Sequence, residues 1–258
     1  MAYTSNQGVR IHYRIEGAGT PLVIQHGFSD SPETWYDLGY VDALKQQYQL
    51  IMVDARGHGA SDKPHDPHAY DVQYNATDIV AILDDLNLPQ AHFLGYSMGG
   101  LIGFALAKYA PTRFFSFIIG GAHASARGNS AAATLWLERL PQGPAVIPPL
   151  WDAPISPALH ARLLTNDVEA LMAYWRKRRE MPSLEDVLPT MAMPCLLLAG
   201  DADPRYPIIQ ECVSSMPNAT LVTFPGLNHV GTLFRSDLVL PHVLRFLATV
   251  NQERSGQR

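Results

Sequence analysis

The feature that most constrains the fold is an alternation of short apolar segments with helical segments along most of the chain. The apolar segments are continuous, which is typical of strands covered on both faces, and strands that alternate with helices form a mostly parallel sheet. Residues 9–15 instead alternate apolar with polar side chains, as a half-exposed antiparallel strand does. The continuous strands are predicted at residues 21–25, 49–53, 91–94, 114–119, 195–199 and 220–224.

Helical patterns fill most of the gaps between these strands. Residues 72–86 carry apolar side chains at helical spacing, with acidic side chains facing elsewhere. Residues 97–109 are rich in Gly, Ala and Leu, which suits a buried helix packed closely on a sheet, and residues 237–250 predict a final helix. Residues 251–258 are polar and are expected to form a disordered tail.

One long segment breaks the alternation. Residues 124–188 contain no clear strand but carry several proline- and tryptophan-rich patches. We predict that they form a helical cap inserted into an α/β core of residues 1–123 and 189–250. The ligand site of an open parallel sheet lies outside the carboxyl ends of its strands, so a cap inserted at that edge would cover the site.

Composition narrows the classes of partner. The formal charge of −5 gives no reason to expect a nucleic acid or an anionic membrane as a partner. No apolar run approaches the roughly 18 residues of a membrane span, and the N-terminus lacks the pattern of a signal peptide, so a cytoplasmic location is expected. Cys195 and Cys212 form no CxxC pair and are predicted to be packed thiols. The oligomeric state is left open.

The segment from Gly95 to Gly100 carries the clearest chemical signal. It reads Gly-Tyr-Ser-Met-Gly-Gly, follows an apolar strand and opens a helix, which is the context of a G-x-S-x-G nucleophile elbow. In so tight a turn Ser97 is expected at a strained positive φ, and Gly95 and Gly99 leave the space it needs. The hydroxyl would stand at a helix N-terminus, where the N–H of Met98 can stabilise an oxyanion. The alternative is that this cluster is only a flexible turn.

Three motifs, taken in order, resemble the α/β-hydrolase superfamily. They are His-Gly-Phe at residues 26–28, Asp-Ala-Arg-Gly-His-Gly-Ala-Ser-Asp at 54–62, and the elbow at 95–100. The second motif is quite specific to that superfamily, and the resemblance covers roughly residues 8–250, least clearly in the cap. It implies an α/β-hydrolase fold, with a mostly parallel eight-stranded sheet flanked by helices, and a catalytic triad in the order serine, acid, histidine.

A nucleophilic serine needs a histidine to take its proton and a carboxylate to orient that histidine. The resemblance assigns these roles to His229, in the loop after the last strand, and to Asp203, in preference to Asp201. Asn228 stands before the histidine, where the family often has a glycine. The two aspartates make a poor metal site because no third ligand lies nearby in sequence, and no metal or cofactor is expected.

The resemblance also makes the backbone N–H of Phe28 the second oxyanion donor, beside that of Met98. His26 and His58 are expected to brace the surrounding loops rather than to react. Residues 65–68, which read His-Asp-Pro-His, are interpreted as a solvated loop rather than as metal ligands.

Five residues are candidates for the substrate pocket: Trp136, Trp151, Tyr174, Trp175 and His123. The aromatic side chains form either an apolar wall for the acyl or alcohol group or the core of the cap itself, and the histidine either lines the pocket or occupies a turn. The basic run at residues 176–179 could recruit an anionic substrate, but a solvated helix face is favoured.

Together these features predict a serine hydrolase that cleaves a small carboxylic ester through an acyl-enzyme intermediate. Ser97 argues against haloalkane dehalogenases and epoxide hydrolases of this fold, which attack with aspartate. Residues 26–29 argue against lipases and esterases with an HGGG-type oxyanion loop. The same triad serves lactone hydrolysis, cofactor-free perhydrolysis and hydrolysis of carbon–carbon bonds. The alternative from another class is a ligand-binding signalling protein, because a fold does not determine a function.

Overall fold

A computed structural model describes residues 2–256 of the chain. Its strands are β1 (Ala2–Asn6), β2 (Val9–Glu16), β3 (Thr20–Gln25), β4 (Tyr48–Val53), β5 (Ala91–Tyr96), β6 (Phe114–Gly120), β7 (Cys195–Gly200) and β8 (Ala219–Phe224). They form one sheet in the order β1-β2-β4-β3-β5-β6-β7-β8. The β1–β2 and β2–β4 pairs are antiparallel and all other pairs in this sheet are parallel, so the predicted mostly parallel eight-stranded sheet is confirmed.

Helices connect the strands and cover both faces of the sheet. They are α1 (Glu33–Asp37), α2 (Tyr40–Leu44), α3 (Val72–Asp85), α4 (Met98–Tyr109), α5 (Asn129–Arg139), α6 (Pro157–Leu163), α7 (Val168–Glu180), α8 (Tyr206–Ser214), α9 (His229–Phe234) and α10 (Ser236–Gly256). Short 3₁₀ turns occupy Pro67–Tyr70, Pro111–Arg113, Leu140–Gln142, Pro144–Val146, Pro148–Trp151 and Glu185–Thr190.

The two faces of the sheet carry separate apolar layers. On one face α2 and α10 bury Leu44, Val243 and Leu247, and on the other α3 and α4 bury Ile79 and Phe104. Because the central strands are covered on both sides, they are apolar throughout and do not alternate. A ligand site is therefore expected at the carboxyl edge of the sheet, where the connecting loops lie.

The N-terminal strand β1 was not predicted. Its burial alternates between half-buried and exposed, and its polar residues give no apolar run. It pairs with β2 through a hairpin turn at Gln7 and Gly8, whose φ values are 51° and 75°. Two positive φ values in succession are the geometry of a type I′ turn, which matches the twist of paired strands.

The predicted disordered tail is wrong for residues 251–256, which continue α10. The side chain of Asn251 anchors this end of the helix, with its Oδ1 3.0 Å from Nε2 of His92 and its amide donating to the hydroxyl of Tyr48. Polar residues therefore hold the helix to the edge of the sheet, which composition alone does not reveal. Residues 257–258 of that prediction lie outside the described residues.

The segment between β6 and β7, residues 121–194, forms three helices, α5 to α7, and four 3₁₀ turns, with no strand. A helical insertion therefore lies where the cap was predicted, and its separation as a domain at residues 124–188 stays a prediction. Cys195 and Cys212 are both buried and unpaired. Within residues 2–256, no helix is long and apolar enough to cross a membrane.

Candidate active site

Ser97 lies in the tight connection between β5 and α4. Its φ is 56° and its ψ is −111°, the strained positive φ that the motif predicts. A Cβ on Gly95 would lie 2.3 Å from the carbonyl oxygen of Gly99, and a Cβ on Gly99 would lie 2.3 Å from that of Gln25. Only glycine fits at both positions, because the backbones of β3, β5 and α4 are in direct contact beneath the serine.

Three side chains from separate loops meet at this point. Nε2 of His229 lies 2.9 Å from Oγ of Ser97, and Nδ1 lies 2.7 Å from Oδ2 of Asp203. Asp201, the other carboxylate considered, is exposed and accepts a hydrogen bond from the N–H of Gly226 at 2.6 Å. The geometry therefore brings together the serine, histidine and second aspartate expected from the sequence.

His229 is held by its neighbours on two sides. The hydroxyl of Tyr96 donates to its carbonyl oxygen at 2.6 Å. Asn228 caps α9 by accepting from the N–H of Gly231 at 2.7 Å, and donates to the carbonyl oxygen of Asp152 in the cap at 2.9 Å. The asparagine that stands where glycine is frequent therefore ties the histidine loop to the cap.

The charges around the histidine suit it for proton transfer. Burial raises the pKa of Asp203, but three effects outweigh it and lower that pKa to about 2: the hydrogen bond from His229, the charge that this imidazole carries when it is protonated, and the positive charge of Arg205. Burial and the charge of Arg205 lower the pKa of His229, against the opposing effect of Asp203. At neutral pH the aspartate is ionised and the imidazole is neutral, so Nδ1–H donates to Asp203 and Nε2 is free to accept the serine proton.

The predicted oxyanion donors lie on the two segments that meet at the serine. A Cβ on Gly27 would lie 3.4 Å from Cβ of Ser97, which places the residue 26–28 loop against the nucleophile. Within the part of the chain that the structure describes, neither the N–H of Phe28 nor that of Met98 bonds to an acceptor. Both donors remain available to an oxygen atom bound beside Ser97.

Two buried histidines brace this loop. His26 donates from Nδ1 to the carbonyl oxygen of Gly27 at 2.7 Å and accepts from the N–H of Ala55 at 3.1 Å. His58 accepts from the N–H of Ser29 at 3.1 Å. Burial lowers the pKa of His26 to about 4 and that of His58 to about 3, so both are neutral at pH 7 and each can donate at one nitrogen and accept at the other.

A cavity of about 490 Å³ lies between the serine and the cap. Every predicted pocket residue lines it: Trp136, Trp151, Tyr174, Trp175 and His123. Phe28 is the centre of an aromatic cluster, with its ring centroid 4.8 Å from Trp136, 5.2 Å from Tyr174 and 5.3 Å from Trp175. The cap aromatics therefore pack on one another and also line the cavity, so the two interpretations are compatible.

Arg178 and Arg205 are among the cavity residues that the sequence analysis did not anticipate. Arg178 lines the cavity, although the basic run was interpreted as a solvated face, and Arg205 lines it beside the acid. The solvated interpretation is right for Arg176 and Arg179, which are exposed. Helical spacing could have predicted that Arg178 lines the cavity, because it follows Tyr174 by four residues and so lies on the same helix face.

The His-Asp-Pro-His segment contacts the cap. Nε2 of His65 lies 3.1 Å from a carboxylate oxygen of Asp167. Within residues 2–256, no group of three or more His, Cys, Asp or Glu side chains is arranged to hold a metal ion.

Comparison with known proteins agrees with the fold. A family model for the alpha/beta hydrolase fold matches residues 20–190. The chain belongs to the α/β-hydrolase fold family. This α/β hydrolase is 30% identical over 213 residues to 3-oxoadipate enol-lactonase 2 of Acinetobacter baylyi, covering 77% of its own length and 78% of the relative.

Two further proteins show how widely this family resemblance extends. The α/β hydrolase is 32% identical over 112 residues to bifunctional epoxide hydrolase 2 of Mus musculus, but that match covers only 43% of the chain and 20% of the relative. The crystal structure of an esterase from Rhodococcus sp. ECU1013 superposes with a TM-score of 0.77 at 25% identity, covering 96% of this chain and 98% of the other. The family match therefore does not by itself identify the bond that this chain cleaves.

Proposed function

We propose that the chain is a serine hydrolase that cleaves a small carboxylic ester through an acyl-enzyme intermediate, with Ser97, His229 and Asp203 as its catalytic triad. The observation that carries the proposal is the continuous hydrogen-bonded path from Oγ of Ser97 through His229 to Asp203, at a cavity that would admit a substrate. The mechanism needs no cofactor.

In the first half-reaction, Oγ of Ser97 attacks the ester carbonyl carbon while its proton passes to Nε2 of His229. The carbonyl electron pair moves to oxygen, and the N–H groups of Phe28 and Met98 donate to the resulting oxyanion. The tetrahedral intermediate collapses, the carbon–oxygen bond to the alcohol breaks, and Nε2–H protonates the leaving alcohol. Asp203 stays ionised and stabilises the imidazolium.

In the second half-reaction, a water molecule takes the place of the alcohol. His229 accepts a proton from the water, whose oxygen attacks the acyl carbon, and the same two N–H groups hold the oxyanion. Collapse breaks the bond to Oγ of Ser97, which regains the proton from Nε2. The products are a carboxylic acid and the free enzyme.

Ester and lactone substrates are both supported. The aromatic wall around Phe28 offers apolar contact to an acyl or alcohol group in a cavity of about 490 Å³. A lactone is a cyclic ester, so the same steps open it and leave the hydroxyl attached to the acyl group. The enol-lactonase relative and the esterase neighbour favour these two bond types.

Hydrolysis of 4-nitrophenyl esters from acetate to laurate tests this proposal. We expect turnover with a short-chain optimum, a loss of at least about 10⁴-fold in kcat for Ser97→Ala, and no such loss for Ser130→Ala. Ser130 is exposed and does not line the cavity, so its substitution is a matched control. Turnover that Ser97→Ala leaves intact would contradict the proposal, and very slow turnover with a ligand-dependent rise in Tm would favour a signalling protein.

A further inference from the structure

Arg178 is a charged side chain of the cavity that the proposed mechanism does not use. It lies on α7, is half-buried, and lines the cavity together with Ser97 and His229. Its Nη1 contacts Sδ of Met181 at 3.3 Å, and among residues 2–256 no carboxylate lies within ion-pair distance of it. A guanidinium partly withdrawn from water without an anion is unfavourable, so an anion bound in the cavity would stabilise it.

Two further arginines share this side of the cavity. Arg205 lines it with one carboxylate contact, Nη1 to Oδ1 of Asp203 at 3.1 Å, and Arg127 lines it at a more exposed position, paired with Glu211. We call Arg127, Arg178 and Arg205 the cationic wall.

The positive charges of the wall lower the pKa values of neighbouring basic groups. Burial, then Arg178, Arg205 and Arg127, lower the pKa of His123 to about 4, so its ring is neutral at pH 7. Burial and Arg205 also lower the pKa of Arg178.

The acidic side chain that lines the cavity lies on another element. Asp30 follows β3, and its Oδ1 accepts from the hydroxyl of Thr34 at 2.5 Å and from the N–H of Ser31 at 2.8 Å. Burial raises its pKa to about 7, so its carboxyl is about half protonated at neutral pH. Among the residues that line the cavity, the three positive charges of the cationic wall therefore exceed the partial negative charge of Asp30.

Unused hydrogen-bond donors accompany these charges. The side-chain nitrogens of Asn129 and Trp175 are buried without a hydrogen-bond partner in the described part of the chain, and both residues line the cavity. A bound anion has several acceptor oxygens, so it would satisfy donors that the chain leaves unpaired.

We propose that the cationic wall, through Arg178, binds a carboxylate carried by the ester substrate, so that the enzyme is selective for anionic esters such as half-esters of short dicarboxylic acids. A planar guanidinium donates two parallel hydrogen bonds to a carboxylate. Arg205 contacts Asp203, the partner of His229, so the wall adjoins the triad. The arginines of the wall and Ser97 line the same cavity. This inference rests on the proposed serine-esterase function.

Paired substrates directly test the preference for a substrate carboxylate. Monoethyl esters of the C4 to C8 dicarboxylic acids are compared with their terminal carboxamide isosteres by following ethanol release. We expect wild type to favour the carboxylate by about 10- to 100-fold in kcat/KM, since hydrogen bonds to charged groups are worth about that much. A wild-type ratio near one across the series would overturn the proposal. Esters whose carboxylate lies on the alcohol portion show which side of the scissile bond the wall recognises.

Variants then assign the preference to one side chain. Arg178→Gln should reduce the carboxylate-to-carboxamide ratio to near one, while Arg178→Lys keeps part of it because the charge remains without the planar fork. Arg176→Gln is the matched control, because it removes the same charge from an exposed position on the same helix and should keep the wild-type ratio. A ratio that survives Arg178→Gln would overturn the assignment.

Calorimetry separates this inference from the proposed function. Ser97→Ala should bind the half-ester more tightly than its carboxamide isostere, and adding Arg178→Gln should remove the difference. Equal binding of the two ligands overturns the carboxylate site whatever the turnover. A binding preference in a protein whose wild type hydrolyses no ester would support the carboxylate site and refute the esterase function instead.

Discussion

Replacing Gly99 with alanine would test whether the backbone contact beneath the serine positions the catalytic groups. A Cβ at this position would lie 2.3 Å from the carbonyl oxygen of Gln25 and 2.9 Å from that of His26. Ordinary contacts begin at 3.4 Å, so the start of α4 and the end of β3 must separate by about 1 Å. Both clashes are with backbone atoms, and no side chain can rotate aside to relieve them.

That displacement acts on both proposed oxyanion donors. The segment after β3 carries Phe28, and the start of α4 carries Ser97 and Met98. Loss of one oxyanion donor costs about 10²–10³-fold in rate, and a misplacement of 1 Å costs about 10²-fold. We therefore expect Gly99→Ala to lower kcat by about 10²–10³-fold and to destabilise the fold by roughly 1–3 kcal/mol through overpacking.

The assay is hydrolysis of 4-nitrophenyl butyrate, with Tm and circular dichroism to establish that each variant is folded. Gly103→Ala is the control on the same helix, because its Cβ would lie 3.0 Å from Cε1 of Phe93, a side-chain atom that needs to move by only a few tenths of an ångström. We expect this control to stay within about threefold of the wild-type kcat, a change well below 1.4 kcal/mol. A folded Gly99→Ala that also stays in that range would refute the positioning argument.

Three further predictions concern ionisable groups. Asp203→Asn should lower kcat by about 10⁴-fold by disfavouring the required tautomer, whereas Asp201→Asn should retain most activity; the reverse order in kcat would reassign the acid. Because the pKa of His229 is lowered, kcat/KM should rise with pH through an acid limb centred below pH 6.5, and Arg205→Gln should move that limb to higher pH by removing a nearby cation; an unmoved limb would contradict this cause. Burial raises the pKa of Asp30 from 3.8 to about 7, so its carboxyl binds more protons in the folded than in the unfolded chain. The free energy of unfolding therefore falls by at most roughly 4 kcal/mol as the pH rises from 3.8 to about 7. Asp30→Asn removes this loss, so its gain in Tm over wild type should be larger at pH 8 than at pH 5, and equal gains would contradict the shifted pKa.

The elbow and the parallel sheet could be predicted because each leaves a local mark in the sequence. The close approach of three backbones at Ser97 permits only glycine at positions 95 and 99, so these two glycines predict the conformation of the turn. Strands buried on both faces must be apolar throughout, which made most of the sheet visible. The choice of Asp203 over Asp201 came from resemblance, and the contact with His229 now supplies its physical reason.

Features that depend on distant contacts could not be predicted in the same way. Strand β1 is polar and is defined by its pairing with β2, and the end of α10 is fixed by Asn251 against His92. The burial of Arg178 depends on how α7 faces the cavity, and a basic run reads as solvated until that orientation is known. These contacts and orientations exist only once the chain is folded, so no local pattern in the sequence predicts them.

Covalent labelling of Ser97 tests the central claim most directly. The protein is incubated with diethyl 4-nitrophenyl phosphate, which phosphorylates activated serines, and its peptides are analysed by mass spectrometry alongside the remaining ester hydrolysis. We expect one diethyl phosphoryl group on Ser97, in proportion to the loss of activity, and no label on the corresponding peptide of Ser97→Ala. Loss of activity with Ser97 unlabelled, or full activity with Ser97 labelled, would contradict the proposed nucleophile.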